Sequence, residues 1–448
     1  KNVEKYWPIL NETLHFGDIT IEHVSSKTYT DFAHRVFKVS HNHETRQVEQ
    51  LHFLSWPDHG VPLYSQSLVP FLQKMLTLPL SSGSPLVVHC SAGVGRTGTI
   101  LLSHICLKMA AKEGTVDFLS NLQKLREQRA NLVDNVEQYK LAHLVVLECL
   151  TGVNTSVSCN KLEESMQTLF QNNGVSLQMQ YLKKIQWRDE AMKTIGRKGK
   201  TPDVVEEKNR FRDIIPEIQG RVCITSDDGT PLYINAVFVD GFRSPKRFIV
   251  TQQPLPNTLA DFWHLIDEND ISTIISLNEI NSEDETSCSF WPTSSQPKMN
   301  PTDDINLIYT KTLSLECYDL ITIDLNTSFR KECLTVEIFS LKNWPSKTIR
   351  PESVQKFLTF WEDSNAASKK SSNVVVTCYD GVTASGLYVT MSFIIEKLKL
   401  EQSCDVCQAV RTVRHNRSQF VQEEEQFAFL YRAAMDYVNG FQSYADFI

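Results

Sequence analysis

The sequence has no uninterrupted apolar run approaching membrane-spanning length, and its first 30 residues carry no signal-peptide pattern. It also lacks a cysteine framework. Eleven cysteines are scattered through 448 residues without regular spacing, and several, such as Cys106 and Cys149, fall in apolar helical patterns. That distribution fits reduced thiols in a cytosolic compartment better than disulfides, and it leaves Asn-x-Ser/Thr sequons such as those at Asn11, Asn154 and Asn326 without meaning. A basic excess is absent too. With 45 basic against 53 acidic side chains the net charge is −8, which argues against a broad nucleic-acid-binding surface. What remains is ordinary for a globular chain: 41% hydrophobic and 22% charged residues, and length enough for two or three domains with sizeable cores.

One stretch organises the rest, Val87-Val88-His89-Cys90-Ser91-Ala92-Gly93-Val94-Gly95-Arg96-Thr97-Gly98. The apolar run Leu86–Val88 reads as a short buried strand, and Thr99–Ala111 reads as a helix. A loop running into a helix N-terminus turns several backbone N–H groups on one point and adds the positive end of the helix dipole. Such a loop holds a phosphate dianion and lowers the pKa of a thiol placed in it. Arg96, six residues after Cys90, can grip two phosphate oxygens with its planar fork. The plainer reading is a buried structural cysteine beside a glycine-rich turn.

Ahead of this stretch, residues 16–54 read as antiparallel β-structure: Ile19 and Ile21, then Val36, Phe37 and Val39, then Val48, Leu51 and Phe53, with His41-Asn42-His43 as a turn. Trp56-Pro57-Asp58-His59-Gly60-Val61-Pro62 is a loop by its prolines and glycine. Ser65 opens a helix with Leu68, Leu72, Met75 and Leu76 on one face. Helices follow around Val116–Gln128 and over 136–150. The pattern gives an α/β (α+β) fold, a mixed twisted sheet flanked by helices. Residues 151–159 turn small and polar, a linker; helical patterns resume with Leu162, Met166, Leu169 and Phe170, and a second α/β domain, 160–448, runs to the C-terminus.

The two halves repeat. Trp56-Pro57 recurs as Trp344-Pro345, Cys90 as Cys378, and Glu137-Gln138-Tyr139 as Glu425-Gln426-Phe427, each pair offset by 288. Tyr6-Trp7-Pro8 recurs as Phe290-Trp291-Pro292 at offset 284. A second copy starting near 160 puts the start of the first near 160 − 288 = −128, so the first domain, 1–150, is expected to be N-terminally truncated.

His89 to Gly98 resembles the signature of the protein tyrosine phosphatases, and the resemblance extends to Tyr6-Trp7-Pro8 and the Trp56–Pro62 loop. In the second copy it covers Lys208-Asn209-Arg210-Phe211, Tyr233-Ile234-Asn235-Ala236, Thr251-Gln252-Gln253-Pro254-Leu255 and Asp261-Phe262-Trp263. Two such domains in tandem resemble the cytoplasmic half of receptor-type tyrosine phosphatases, single-pass plasma-membrane proteins; the departures at Asp134-Asn135 and in the second signature are similar to those of an insect axon-guidance receptor phosphatase. The resemblance implies phosphotyrosine proteins as substrates, no cofactor and no metal, contact between the two phosphatase domains within or between chains, and no nucleic-acid or membrane contact by this stretch itself. Cys90 would be the nucleophile. Arg96 and the backbone N–H groups of Ser91, Ala92, Gly93, Val94 and Gly95 would bind the phosphoryl oxygens. Thr97 would donate to the sulfur, and His89 would orient the loop from behind. Asp58 would act as general acid and then base, against the plainer reading of a helix N-cap or solvated turn, with Trp56 as the hinge anchor of its loop. Gln138 matches the second of two family glutamines that hold the attacking water, but Asp134 stands in place of the first, which predicts impaired breakdown of a phosphocysteine intermediate.

The second signature, Thr377-Cys378-Tyr379-Asp380-Gly381-Val382-Thr383-Ala384-Ser385-Gly386, keeps the cysteine but has Ala384 for the arginine. Thr377 replaces the histidine, and Ser346 stands where the first copy has Asp58. Phe211 also lacks the hydroxyl of the family's tyrosine. These changes predict a dead copy in which Cys378 is a packed thiol, a redox-sensing role being the other reading. Cys404-x-x-Cys407 has zinc spacing without a second pair, and Val406 and Val410 put it on an amphipathic helix, so surface thiols are expected there. The leading function is a tyrosine phosphatase active through Cys90, and its rival is a pseudophosphatase scaffold; with part of the first domain missing, weak activity or none is expected of the isolated chain. A low-molecular-weight phosphatase or arsenate reductase is a third option, disfavoured because those place the cysteine loop at the chain start.

Overall fold

The computed structural model describes residues 4–58, 60–78, 84–193, 203–218, 220–226, 229–328, 330–368 and 373–445; His59 of the predicted loop lies outside them. The chain divides into two compact units. One comprises residues 1–154 with 189–196, the other 155–188 with 197–448.

In the first unit β1 (Thr13–Phe16), β2 (Ile19–Thr28), β3 (Phe32–His41) and β4 (Glu44–Phe53) form an antiparallel sheet in that order. Of these, β1 carried too short a pattern to be read from the sequence. His41 pairs with Glu44 across a two-residue turn in which Asn42 takes φ 54°, a conformation asparagine tolerates. Ser65–Leu68 is a 3-10 turn leading into α1 (Val69–Thr77), whose Leu72 and Met75, with Leu68, are buried while Leu76 is exposed. Then come α2 (Gly95–Glu113), α3 (Phe118–Gln128) and α4 (Val136–Thr151). Each start has a local cause. Asp117 caps α3 by accepting from the Ser120 N–H, and Asn135 caps α4 by accepting from the Gln138 N–H. Apolar faces of β3, α1, α2, α3 and α4 meet in one core around Phe32, Phe71, Leu102 and Val145.

The second unit contains β5 (Val157–Ser158), α5 (Leu162–Gln171), β6 (Arg221–Thr225), β7 (Pro231–Val239), β8 (Phe248–Gln252), α7 (Leu259–Glu268) and β9 (Thr273–Ser276); α6 (Gly174–Lys193) follows α5 in the chain, and its residues 189–193 count with the first unit. It continues with β10 (Lys298–Thr302), β11 (Ile305–Ser314), β12 (Tyr318–Thr327), β13 (Leu334–Leu341), α8 (Val354–Ala367), β14 (Val374–Cys378), α9 (Thr383–Glu401), β15 (Ser403–Cys404), α10 (Val406–Arg414) and α11 (Glu424–Ala445). Nine strands make one twisted mixed sheet in the order β10-β11-β12-β13-β9-β14-β8-β7-β6, parallel at its centre and antiparallel at both ends. The fold is α/β, with eleven α-helices among the described residues. None of them is long and apolar enough to cross a membrane.

The offset of 288 is structural. Thr383–Glu401 lies 288 residues after Gly95–Glu113 at both ends, and Asp405 caps α10 from Gln408 as Asp117 caps α3 from Ser120. One element breaks the correspondence. β14 is a β-branched run buried between β8 and β9, but Leu86–Val88, its counterpart, forms no strand, and Val87 is 78% exposed. The buried strand expected there does not form. Among the described residues no strand pairs with this run, so it has no ladder to join. The expected surface thiols are corrected too. Cys404 lies in β15 and Cys407 on the buried face of α10, at 1% and 2% exposure, because α10 packs that face against α9.

Candidate active site

Cys90 sits where an irregular segment turns into α2, and the turn aims donors at its sulfur. The Thr97 hydroxyl donates to Sγ at 3.1 Å and the Gly93 N–H at 3.3 Å. Gly93 holds φ 68°, which an L side chain would strain. Burial pushes the Cys90 thiol up, but hydrogen bonds from the Thr97 side chain and from the Thr97, Val94 and Gly93 backbones more than offset it, leaving the thiol below its ordinary value. A stabilised thiolate at a helix N-terminus is the chemistry the loop can perform. Ser91 and Ala92 are exposed, and Gly93, Val94, Gly95 and Arg96 are half-buried around the same turn.

The loop is braced from three sides. Arg96 donates to the Pro57 carbonyl at 3.0 Å and its guanidinium lies 5.8 Å from the centre of the Trp56 ring, so the first turn of α2 is tied to the Trp56–Pro62 loop. Trp56 is buried and donates its indole N–H to the Gly60 carbonyl at 3.1 Å, closing that loop on itself. Asp58, next after Pro57, is exposed in a bend; no helix begins there, since the N-cap of the following 3-10 turn is Tyr64, which removes the N-cap reading. Arg129, which sequence reasoning missed, donates to the Ala92 carbonyl at 3.0 Å from the end of α3. Gln138 is buried against the loop: a Cβ added to Gly95 would fall 2.6 Å from its Nε2. Its Oε1 accepts the Asp134 N–H at 2.9 Å, fixing the amide. His89 is exposed; its Nε2 pairs with the Tyr6 hydroxyl at 2.6 Å and its Nδ1 lies 3.4 Å from the Cys90 carbonyl oxygen.

This arrangement has a counterpart among known sequences. The profile of the protein-tyrosine phosphatase family matches residues 1–148 and 205–436. The chain belongs to that family. It is 28% identical over 459 aligned positions to receptor-type tyrosine-protein phosphatase F of Danio rerio, covering 99% of this chain and 23% of the relative. It is 29% identical over the same length to receptor-type tyrosine-protein phosphatase S of Gallus gallus, covering 99% and 29%. The chain thus spans about a quarter of the length of these curated relatives.

The phosphatase signature occurs twice, and the second loop differs physically. Cys378 is fully buried, and burial, with Asp380 beside it, pushes its thiol up to about 12. The Ser385 N–H reaches its sulfur at 3.4 Å. Ala384 is buried in the first turn of α9 and offers no guanidinium; Ser346 is half-buried in a turn after Trp344, whose indole donates to the Thr348 carbonyl at 3.2 Å, as Trp56 does to Gly60. Arg417 repeats Arg129, donating to the Gly381 carbonyl at 2.9 Å. Gln426 is buried, as Gln138 is, while Gln422 donates to the Ser418 carbonyl at 2.5 Å.

Proposed function

We propose that residues 1–150 are the C-terminal part of a tyrosine phosphatase domain, 151–159 a linker and 160–448 a second, catalytically inactive phosphatase domain. On this reading the chain belongs to the cytoplasmic part of a receptor-type phosphatase acting on phosphotyrosine proteins, as the relatives' names suggest. The observation that carries it is the Cys90 sulfur, held by Thr97 and Gly93 and drawn below its ordinary thiol pKa beside Arg96.

Hydrolysis then runs in two balanced steps. The Cys90 thiolate attacks phosphorus; the S–P bond forms, the P–O bond to tyrosine breaks, and Asp58 gives its proton to the leaving oxygen. Arg96 and the loop N–H groups hold the equatorial oxygens as charge shifts. Water then attacks phosphorus, Asp58 takes its proton, the P–S bond breaks, and phosphate leaves with the thiolate restored. Gln138 supports the water from a fixed amide. In the second domain Ala384 and Ser346 supply neither the grip nor the proton, which supports an inactive copy.

Hydrolysis of a phosphotyrosine peptide by the full chain is the test, with Cys90→Ser abolishing turnover and Asp58→Ala leaving a phosphopeptide complex that vanadate displaces. A phosphopeptide neither cleaved by the parent chain nor bound by Asp58→Ala would sink the reading. One observation favours the rival, a pseudophosphatase scaffold: Val87 is 78% exposed where its counterpart is sealed inside a sheet.

A further inference from the structure

The second loop is not an empty version of the first. Asp380 stands 288 residues after Ala92, and its carboxylate is met by the loop's own donors. Oδ1 accepts the backbone N–H groups of Val382 and Thr383, both at 2.8 Å, and the Cys378 thiol at 3.2 Å. Oδ2 accepts the Thr383 hydroxyl at 2.5 Å. In the first loop Ala92 brings no side-chain oxygen, and the N–H groups of Gly93 and Val94 turn on the Cys90 sulfur.

A second observation is independent of these turns. Arg417 is buried to 1% exposure behind the loop, where it donates to the Gly381 carbonyl and to Asn235 Oδ1, and its Nε has no hydrogen-bond partner among the described residues. Burial holds the pKa of this cation down to about 10, while Tyr233, Cys378, Asp380 and Glu217 act in the other direction. The N–H groups at the start of α9 make a seat for an anion, and Arg417 holds the loop from behind through the Gly381 carbonyl. The residue before Asp380 is held in place: the Tyr379 hydroxyl donates to Asp284 at 2.5 Å, and the Arg210 guanidinium lies 4.5 Å from the Tyr379 ring centre.

We propose that the second loop is an oxyanion cradle carrying its own ligand, the Asp380 carboxylate seated where the first loop would take a phosphoryl group. The inference rests on reading the first loop as a phosphate cradle. It explains how a copy without the arginine keeps an ordered loop, and it makes the second site closed to phosphate rather than merely slow. The missing guanidinium at Ala384 and the carboxylate of Asp380 are then separate lesions, so Ala384→Arg alone gives no phosphate binding.

The test reads Cys378 itself, by native alkylation of the full chain with iodoacetamide and mass spectrometry of the Cys378 peptide. In the parent chain alkylation is slow, and inorganic phosphate does not change it. In Asp380→Ala the rate rises about tenfold, since the repelling charge and the plug are both gone, and inorganic phosphate slows it again where chloride at equal ionic strength does not. A rate left unchanged, or raised but indifferent to phosphate, overturns the proposal and leaves Asp380 an ordinary helix cap. If Asp380→Ala does not fold in phosphate-free buffer, refolding in inorganic phosphate recovers it; failure to recover overturns the proposal as well. Turnover at Cys90 plays no part in this readout, so failure here and failure of the first domain as an enzyme are told apart.

Discussion

Arg126 holds Val133 in a left-handed backbone conformation. Its Nη2 donates to the Val133 carbonyl at 2.7 Å and its Nε to the Leu132 carbonyl at 3.0 Å, while Val133, fully buried, sits at φ 60°. A β-branched residue at positive φ costs about 1–3 kcal/mol and persists only when its surroundings impose it. The arrangement repeats as Arg414 and Val421, at φ 51°. The bend leads into α4, whose Gln138 packs against the first loop. Arg126→Lys, which keeps the charge but cannot fork, is expected to lower stability by about 1–3 kcal/mol. Urea unfolding checks this, with Arg414→Lys as the internal parallel; a loss under about 0.5 kcal/mol in both would show that the fork does not impose the strain.

The Thr97 hydroxyl leads the hydrogen bonds that draw the Cys90 thiol down against its burial. A hydrogen bond to a charged group is worth about 1.5–3 kcal/mol, and tenfold in an equilibrium corresponds to about 1.4 kcal/mol. Thr97→Val keeps the shape of a buried side chain and removes the donor. Alkylation of Cys90 at neutral pH is therefore expected to slow about tenfold, with the midpoint of its pH profile moving upward. An unchanged profile would assign the thiolate to the backbone donors alone.

The two signature cysteines differ in acid strength, and the sign is fixed by their surroundings. Cys90 is below the ordinary thiol value, so its thiolate is present at lower pH than in a free cysteine; Cys378, near 12, stays protonated through neutrality. Alkylation at Cys90 should level off as pH rises while that at Cys378 is still climbing in alkaline buffer. Coincident profiles would contradict both environments.

Much of this was legible because the chain prints its pattern twice. The helix after Cys90, the hairpins of residues 19–53 and the motif loops follow from periodicity and turn chemistry. Leu86–Val88 failed because a strand is a property of its neighbours: the same pattern is buried in β14, where β8 and β9 flank it. Arg126 and Arg129 carry no motif of their own, yet both recur 288 residues on as Arg414 and Arg417, so the repeat itself held that signal. In the sequence Asp380 is only one more negative charge. That a carboxylate has reached the loop's N–H groups is a matter of distance, which spacing does not encode.

Gly95 and Gly98 separate stability from function. A Cβ on Gly98 would fall 2.3 Å from the Val133 backbone nitrogen, and backbone there cannot yield. Gly98→Ala is expected to destabilise the first unit by more than about 2 kcal/mol. A Cβ on Gly95 meets only the end of the Gln138 side chain, which can swing away. Gly95→Ala should leave the unfolding midpoint nearly unchanged while lowering turnover. Equal losses of stability in the two variants would refute the distinction.

Asp134 tests the water-activating step without disturbing its support. The contact that fixes Gln138 comes from the Asp134 backbone N–H, not its side chain, so Asp134→Gln leaves that 2.9 Å bond in place. What changes is an exposed carboxylate, an acceptor only, for an amide that can donate. A negative side chain near a phosphocysteine repels it and cannot orient water toward it. The second unit retains glutamine at this position, Gln422, so the fold of the bend accepts one. In Asp134→Gln the steady-state rate on a phosphotyrosine peptide is expected to rise about tenfold, while the initial burst, which reports formation of the intermediate, stays the same. If the steady-state rate does not move, breakdown of the intermediate is not limited at Asp134, and the carboxylate is a solvated residue of the bend.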